Sequence, residues 1–239
     1  MRRLRTLTGM ALRELWISFR LVPIIGLPVI GGIVVIAMPG EIAGVSAIGG
    51  AGFWYAVTAG GSICVAAALA ASTIAHERRR GTMAWMAVRA VPRPAVLLSW
   101  FVAYGLLLAG GIALGSIGAW LAAMARAEAP IDPVPFVAAV AAVACTALAT
   151  LAAGLFIGTV LGRWPAAITA LLVCTTLLAG TLFGPLGGML LPTAGFGLLA
   201  DLGSAARPLG AALQSAGTAL ATAAGLLVVA AVFLERADL

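Results

Sequence analysis

The stretch Ala75-His76-Glu77-Arg78-Arg79-Arg80-Gly81-Thr82-Met83-Ala84-Trp85-Met86 decides how the rest of this chain is read. It is a dense polar island between two long apolar runs, 51–75 and 95–124. A charged cluster in that position is a short loop pinned at a membrane face. Three consecutive arginines assign it to the cytoplasmic face, where basic loops are retained. So little else lies outside the bilayer that this loop is the place to meet whatever drives the protein.

Working outward, the composition agrees. The chain has 239 residues, 63% hydrophobic and 9% charged, whereas a soluble domain carries roughly 25% charged residues. This is the composition of an integral membrane protein. The net charge of +6 comes from arginine alone, since lysine is absent. The arginines sit at the ends of apolar runs and form no continuous stripe, so they read as topology signals and lipid headgroup contacts, not as a nucleic-acid surface. The missing lysine has a hard consequence. A P-loop needs one to reach the β- and γ-phosphates of ATP, so any ATP chemistry belongs to another chain.

Six runs are long enough to cross roughly 30 Å of hydrocarbon: 21–39, 51–75, 95–124, 134–161, 165–184 and 208–234. With the N-terminus inside, twelve of the fourteen arginines fall on the cytoplasmic side and only Arg126 and Arg207 outside. Both termini are then cytoplasmic. The outer loops are short, 40–50 with Glu41, and 125–133 with Arg126, Glu128 and Asp132. The expected fold is an all-α integral membrane protein, one transmembrane domain over residues 1–239.

Residues 1–20 place Leu4, Leu7, Ala11, Leu15 and Phe19 at helical spacing, with Arg5, Arg13, Glu14, Ser18 and Arg20 mostly elsewhere. That pattern predicts a retained amphipathic helix in the interface, with Trp16 and Phe19 at headgroup level. Residues 185–207 stay apolar but are interrupted at Pro185, Gly187, Gly188, Pro192 and Gly195. Such a segment is too broken to span and too apolar for a free loop, which predicts a re-entrant or interfacial segment before the last span.

The spans hold few groups that do chemistry. No charge is placed well inside them, which counts against an ion-coupled transporter and against carboxylate-pair hydrolysis. His76 is the single histidine, and Cys64, Cys145 and Cys174 are far apart inside apolar runs. No catalytic residue, cofactor site or metal site is expected, and the cysteines read as small buried hydrophobes. Gly111 and Gly115, the ladder Gly154, Gly158 and Gly162, and the ladder Gly180, Gly184 and Gly188 mark close helix packing. Tyr55, Thr58 and Ser62 share one side of the second span, and Thr169 and Thr176 one side of the fifth. These hydroxyls either bond back to their own helices or line a substrate path.

The loop 76–93 has a local logic. Arg78, Arg79 and Arg80 are cations at a helix C-terminus, where the dipole is negative. Gly81 suits the left-handed position that ends a helix, and Thr82 can cap a new one at Met83. Pro92 and Pro94 limit that helix, and Pro94 suits the first turn of the third span. A short surface helix follows, presenting Met83, Trp85, Met86 and Val88 with Arg89 nearby; Met and aromatic side chains are favoured at docking surfaces.

On these residues the chain resembles the permease subunits of ABC-2 type ATP-binding-cassette exporters. The resemblance rests on the interfacial N-terminal helix, the six-span layout, and Ile74-Ala75-His76-Glu77-Arg78-Arg79-Arg80-Gly81-Thr82 followed by Pro92-Arg93. It implies that the loop is a coupling helix docking on a separate nucleotide-binding subunit, which holds ATP and Mg. Glu77, Arg78, Arg79, Arg80, Gly81, Thr82, Met83, Trp85, Met86 and Arg89 would form the docking surface. It also implies a second permease copy or paralogue, a location in the bacterial cytoplasmic membrane, and alternating access to a path between the two halves. The neutral spans suit a hydrophobic or amphipathic cargo such as a drug, lipid or peptide. A haem-exporter or cytochrome-c-maturation permease shares the layout and an acidic-x-x-x-Gly loop, while Arg80-Gly81-Thr82 leans to the ABC-2 type. A non-transporting membrane anchor or immunity protein is the alternative of a different class, and it predicts no ATPase partner.

Overall fold

The computed structural model describes residues 2–37, 47–80, 92–126, 133–182 and 209–236. Among them there are seven helices and no strand: α1 (Arg2–Ile17), α2 (Leu21–Ala37), α3 (Ala47–Arg79), α4 (Arg93–Arg126), α5 (Pro133–Val160), α6 (Pro165–Leu182) and α7 (Leu209–Arg236). Each apolar run read from the sequence coincides with one helix from α2 to α7. Among the described residues, four helices are long and apolar enough to cross a membrane: Trp54–Arg79, Arg93–Arg126, Pro133–Val160 and Ala212–Arg236. Counted as one span, the bent pair Leu4–Ile17 and Leu21–Ala37, whose axes differ by 74°, brings the candidates to five, against the six runs read from the sequence. α6 is an apolar helix of 18 residues. The segments 81–91 and 183–208, where the short surface helix and the re-entrant segment are expected, lie outside the described residues.

Helix ends follow the local chemistry. Proline opens α5 and α6 at the first helical position, where the missing N–H leaves no bond unmade. The α5–α6 turn closes with Trp164 at φ 57°, and the α1–α2 elbow with Phe19 at φ 55°. A non-glycine residue in this left-handed region costs on the order of 1 kcal/mol. Both rings project outward, Phe19 at 76% and Trp164 at 77% exposure.

In lipid, apolar side chains gain nothing by leaving the tails for one another, so helices associate where small residues let backbones touch. The bundle is built that way. On α2 and α4, a methyl group at Gly32 would stand 2.0 Å from the Gly115 carbonyl oxygen, and one at Gly118 2.6 Å from that of Gly32. On α5, Gly154 and Gly158 lie against Ala67 and Ala71 of α3, where an added Cβ would meet carbonyl oxygens at 2.4 and 2.5 Å. Two rungs of that glycine ladder are thus packing within the chain; the third, Gly162, faces open space. Ala149 and Ala152 of α5 meet Ala219 and Ala223 of α7. The large buried side chains, among them Tyr55, Ile63, Tyr104, Leu108, Ile112 and Leu151, fill the middle where α3, α4 and α5 converge. Outward faces carry large apolar residues such as Leu106, Ile117, Val137, Leu171 and Val228, the surface a hydrocarbon solvent requires.

The apolar stripe of α1 has a different destination from the one its period predicts. Ala11 and Leu15 are buried in the core, and α1 packs on α4. The face left exposed carries Met10, Arg13, Trp16 and Ile17. Periodicity identifies an apolar stripe but not whether lipid or protein covers it. A mixed apolar and cationic outer face still suits a headgroup layer.

Candidate functional site

The polar end of α3 organises one end of the bundle, and arginines hold it together. Backbone carbonyls in the last turn of a helix lack intrahelical donors and carry the negative end of the dipole. Arg78 donates from Nη1 to the Thr159 carbonyl, in the last turn of α5. Arg93, the first residue of α4, donates from Nη1 to the Leu234 carbonyl at 2.9 Å, in the last turn of α7. At the far end of α4, Arg126 donates from Nη2 to Val35 and Ile36 of α2 at 3.0 and 3.2 Å. Three helix C-termini are therefore capped by arginines from other helices. A charge-assisted bond of this kind contributes about 1.5–3 kcal/mol when dry, and about 1 kcal/mol where solvent screens it.

A fourth arginine works at the elbow. Arg20 donates from Nη1 to Thr73 Oγ1 at 2.6 Å. Thr73 Oγ1 also lies 2.9 Å from the Leu69 carbonyl and 2.8 Å from the buried Tyr104 hydroxyl. The network ties the start of α2 to α3 and α4. Hydroxyls and a guanidinium satisfied this way avoid the penalty of burying unpaired polar groups.

The expected docking residues divide into unlike groups. Glu77 is buried, 8% exposed, inside the bundle end. Arg78 is half-buried and engaged on α5. Arg79 and Arg80 are exposed, with Arg79 Nε 3.3 Å from the Ala75 carbonyl of its own helix. Gly81, Thr82, Met83, Trp85, Met86 and Arg89 lie outside the described residues.

The five expected path hydroxyls are all engaged, four of them with their own helices. Tyr55 is fully buried and donates across to the Ile112 carbonyl of α4, beside the Gly115 crossing. Thr58 Oγ1 is 3.2 Å from the Trp54 carbonyl and 3.0 Å from that of Tyr55. Ser62 donates to Thr58 at 2.7 Å and Thr169 to Pro165 at 2.7 Å, both buried. Thr176 donates to Leu172. Tyr55, Thr58 and Ser62 run along one side of α3, and Thr58 also packs where Gly31 of α2 leaves room.

Sequence reasoning did not anticipate the Arg20–Thr73–Tyr104 network or the partners of Arg93 and Arg126. Arg93 stands between two prolines at a helix start, and Tyr104 is a lone phenol in an apolar run; these are the signals that mark them. The cysteines are far apart in sequence, yet Cys64 Sγ of α3 lies 3.2 Å from Cys174 Sγ of α6. Among the described residues, no three of His, Cys, Asp and Glu come together as metal ligands would.

No protein-family model matches the chain, and no curated protein matches it.

Proposed function

We propose that this chain is the permease subunit of an ATP-binding-cassette exporter of the ABC-2 type. One observation carries the reading. The segment 81–91 is bracketed by Arg78 and Arg93, and each of these grips the last turn of a different helix, α5 and α7. A displacement of that segment reaches two distant helices through charged bonds, as well as α3 and α4 through the chain itself. Such a linkage suits a loop that receives force from outside the membrane.

In this mechanism a separate nucleotide-binding subunit holds ATP and Mg and docks on the cytoplasmic face. Arg79 and Arg80, exposed and next to the segment, meet the partner. Arg78 is a positioning residue, fixing the end of α3 against α5, and Glu77 is buried beside it. ATP binding draws two ATPase chains together, and the movement passes to two permease chains, this one and a second copy or paralogue. The Arg20 network carries motion of the α1–α2 elbow to α3 and α4. Access to the path between the halves then switches from one side of the membrane to the other. Apolar helix surfaces suit an amphipathic or hydrophobic cargo.

The test is extraction from the source membranes in a mild detergent, followed by purification on this chain. The expected result is stoichiometric recovery of a soluble ATPase. Recovery of the folded chain without any nucleotide-hydrolysing subunit would refute the proposal.

A further inference from the structure

We infer that Cys64 and Cys174 form an oxidisable dithiol, a modification site that staples α3 to α6 when a membrane-soluble peroxide reaches it. The two residues are 110 apart in sequence, yet their sulfurs stand 3.2 Å from each other. A disulfide has an S–S distance of about 2.05 Å, so closure needs an approach of about 1 Å, within reach of small side-chain rotations. Cys64 Sγ is also held 3.5 Å from the Ala170 carbonyl, one turn before Cys174 on α6. The pair is therefore aimed, since one thiol is anchored to the very helix that carries the other.

Access comes from the apolar side. Cys174 is exposed on the outer surface of α6, beside the exposed Leu171 and Leu172, and Cys64 is buried behind it. Ala67, Ala170 and Val173 complete the cluster around the sulfurs. An oxidant that partitions into lipid concentrates at this surface, and a water-borne one reaches it at lower concentration. The chemical class that fits is a lipid hydroperoxide. The Cys174 sulfur attacks the peroxide oxygen, the O–O bond breaks, and the lipid alcohol leaves with the thiol proton, giving a sulfenic acid. Cys64 sulfur then attacks the sulfenic sulfur, the S–S bond forms, and water leaves. Two thiols lose two electrons and two protons; the peroxide becomes one alcohol and one water.

The third cysteine separates this from general thiol damage. Cys145 lies on α5 beside the alanine contact with α7. It remains a thiol while the other two pair. The consequence is local, because α6 packs on α3 and more sparingly on α5. A bond between Cys64 and Cys174 fixes α6 to the helix whose last turn carries Glu77 and Arg78.

The test uses the full chain in lipid vesicles, treated with cumene hydroperoxide as the membrane-soluble probe and hydrogen peroxide as the water-borne one. Expected with cumene hydroperoxide is the loss of two hydrogen masses, a Cys64–Cys174 cross-linked peptide, one maleimide-reactive thiol left on unfolding, and full reversal by a thiol reductant. The same dose of hydrogen peroxide gives several-fold less product. C174S and C64S lose the mass change, and C145S keeps it. Sulfinic or sulfonic acid at Cys174 with no cross-link, linkage through Cys145, or equal reaction with both peroxides would overturn the inference.

Discussion

Arg93 at the start of α4 and Leu234 near the end of α7 are joined by a guanidinium-to-carbonyl hydrogen bond of 2.9 Å across 141 residues of sequence. The bond satisfies a carbonyl that its own helix leaves open, and it places a cation at the negative end of that helix. It also holds Arg93, which follows the segment 81–91 in sequence. The R93A change is expected to weaken the protein by about 1 kcal/mol. The check is denaturant unfolding in detergent, together with faster amide exchange confined to the last turn of α7. Unchanged exchange there would show that the bond does not hold α7.

Glycine substitutions separate backbone contact from helix propensity. G32A and G154A drive a methyl group into carbonyl oxygens 2.0 and 2.4 Å away. Each should destabilise the fold by about 1–3 kcal/mol, the range for overpacking. Gly110 and Gly61 face open space, so G110A and G61A should be neutral or stabilise by up to about 1 kcal/mol. Unfolding midpoints of the four variants in one detergent give the comparison.

Much of the architecture is legible in the sequence. Apolar run length and period locate α2 to α7 within a few residues, because each helix must satisfy its own backbone in lipid and so must be long and continuous. Gly111, Gly115, Gly154 and Gly158 were legible as packing positions for the same reason. The arginine caps were not. Arg78, Arg93 and Arg126 find carbonyls 81, 141 and about 90 residues away, and a carbonyl at a helix end has no residue-type signature. The burial of Glu77 was hidden too, since period alone cannot say which helix covers which face. Cys64 and Cys174 look like isolated apolar residues until α3 and α6 are laid side by side.

The Arg20–Thr73–Tyr104 network predicts coupling between residues on three elements. R20A and Y104F should each lower stability by about 1 kcal/mol. The double variant should fall short of the sum by at least about 0.5 kcal/mol, as groups sharing one hydrogen-bond network do. A double-mutant cycle on unfolding free energy measures it, and strict additivity would mean that the two act independently.

The proposed topology predicts labelling from opposite sides. With the native cysteines replaced by serine, R163C should react with a membrane-impermeant maleimide only after the cells are opened, and E128C should react on intact cells. The reverse pattern would invert the orientation drawn from the arginine count.

The proposed docking face divides the arginines by role. R78A removes the cap on α5 and should cost about 1 kcal/mol of stability. Arg79 and Arg80 are exposed, so R79E and R80E together should leave unfolding unchanged while reversing charge at the proposed partner surface. The decisive measurement is ATPase turnover of the purified permease–ATPase complex in lipid, wild type against the R79E/R80E variant. The account predicts an at least tenfold loss of complex-dependent turnover with folding and membrane insertion intact. Equal turnover in the two, or no ATPase activity associated with the wild-type chain, would contradict it.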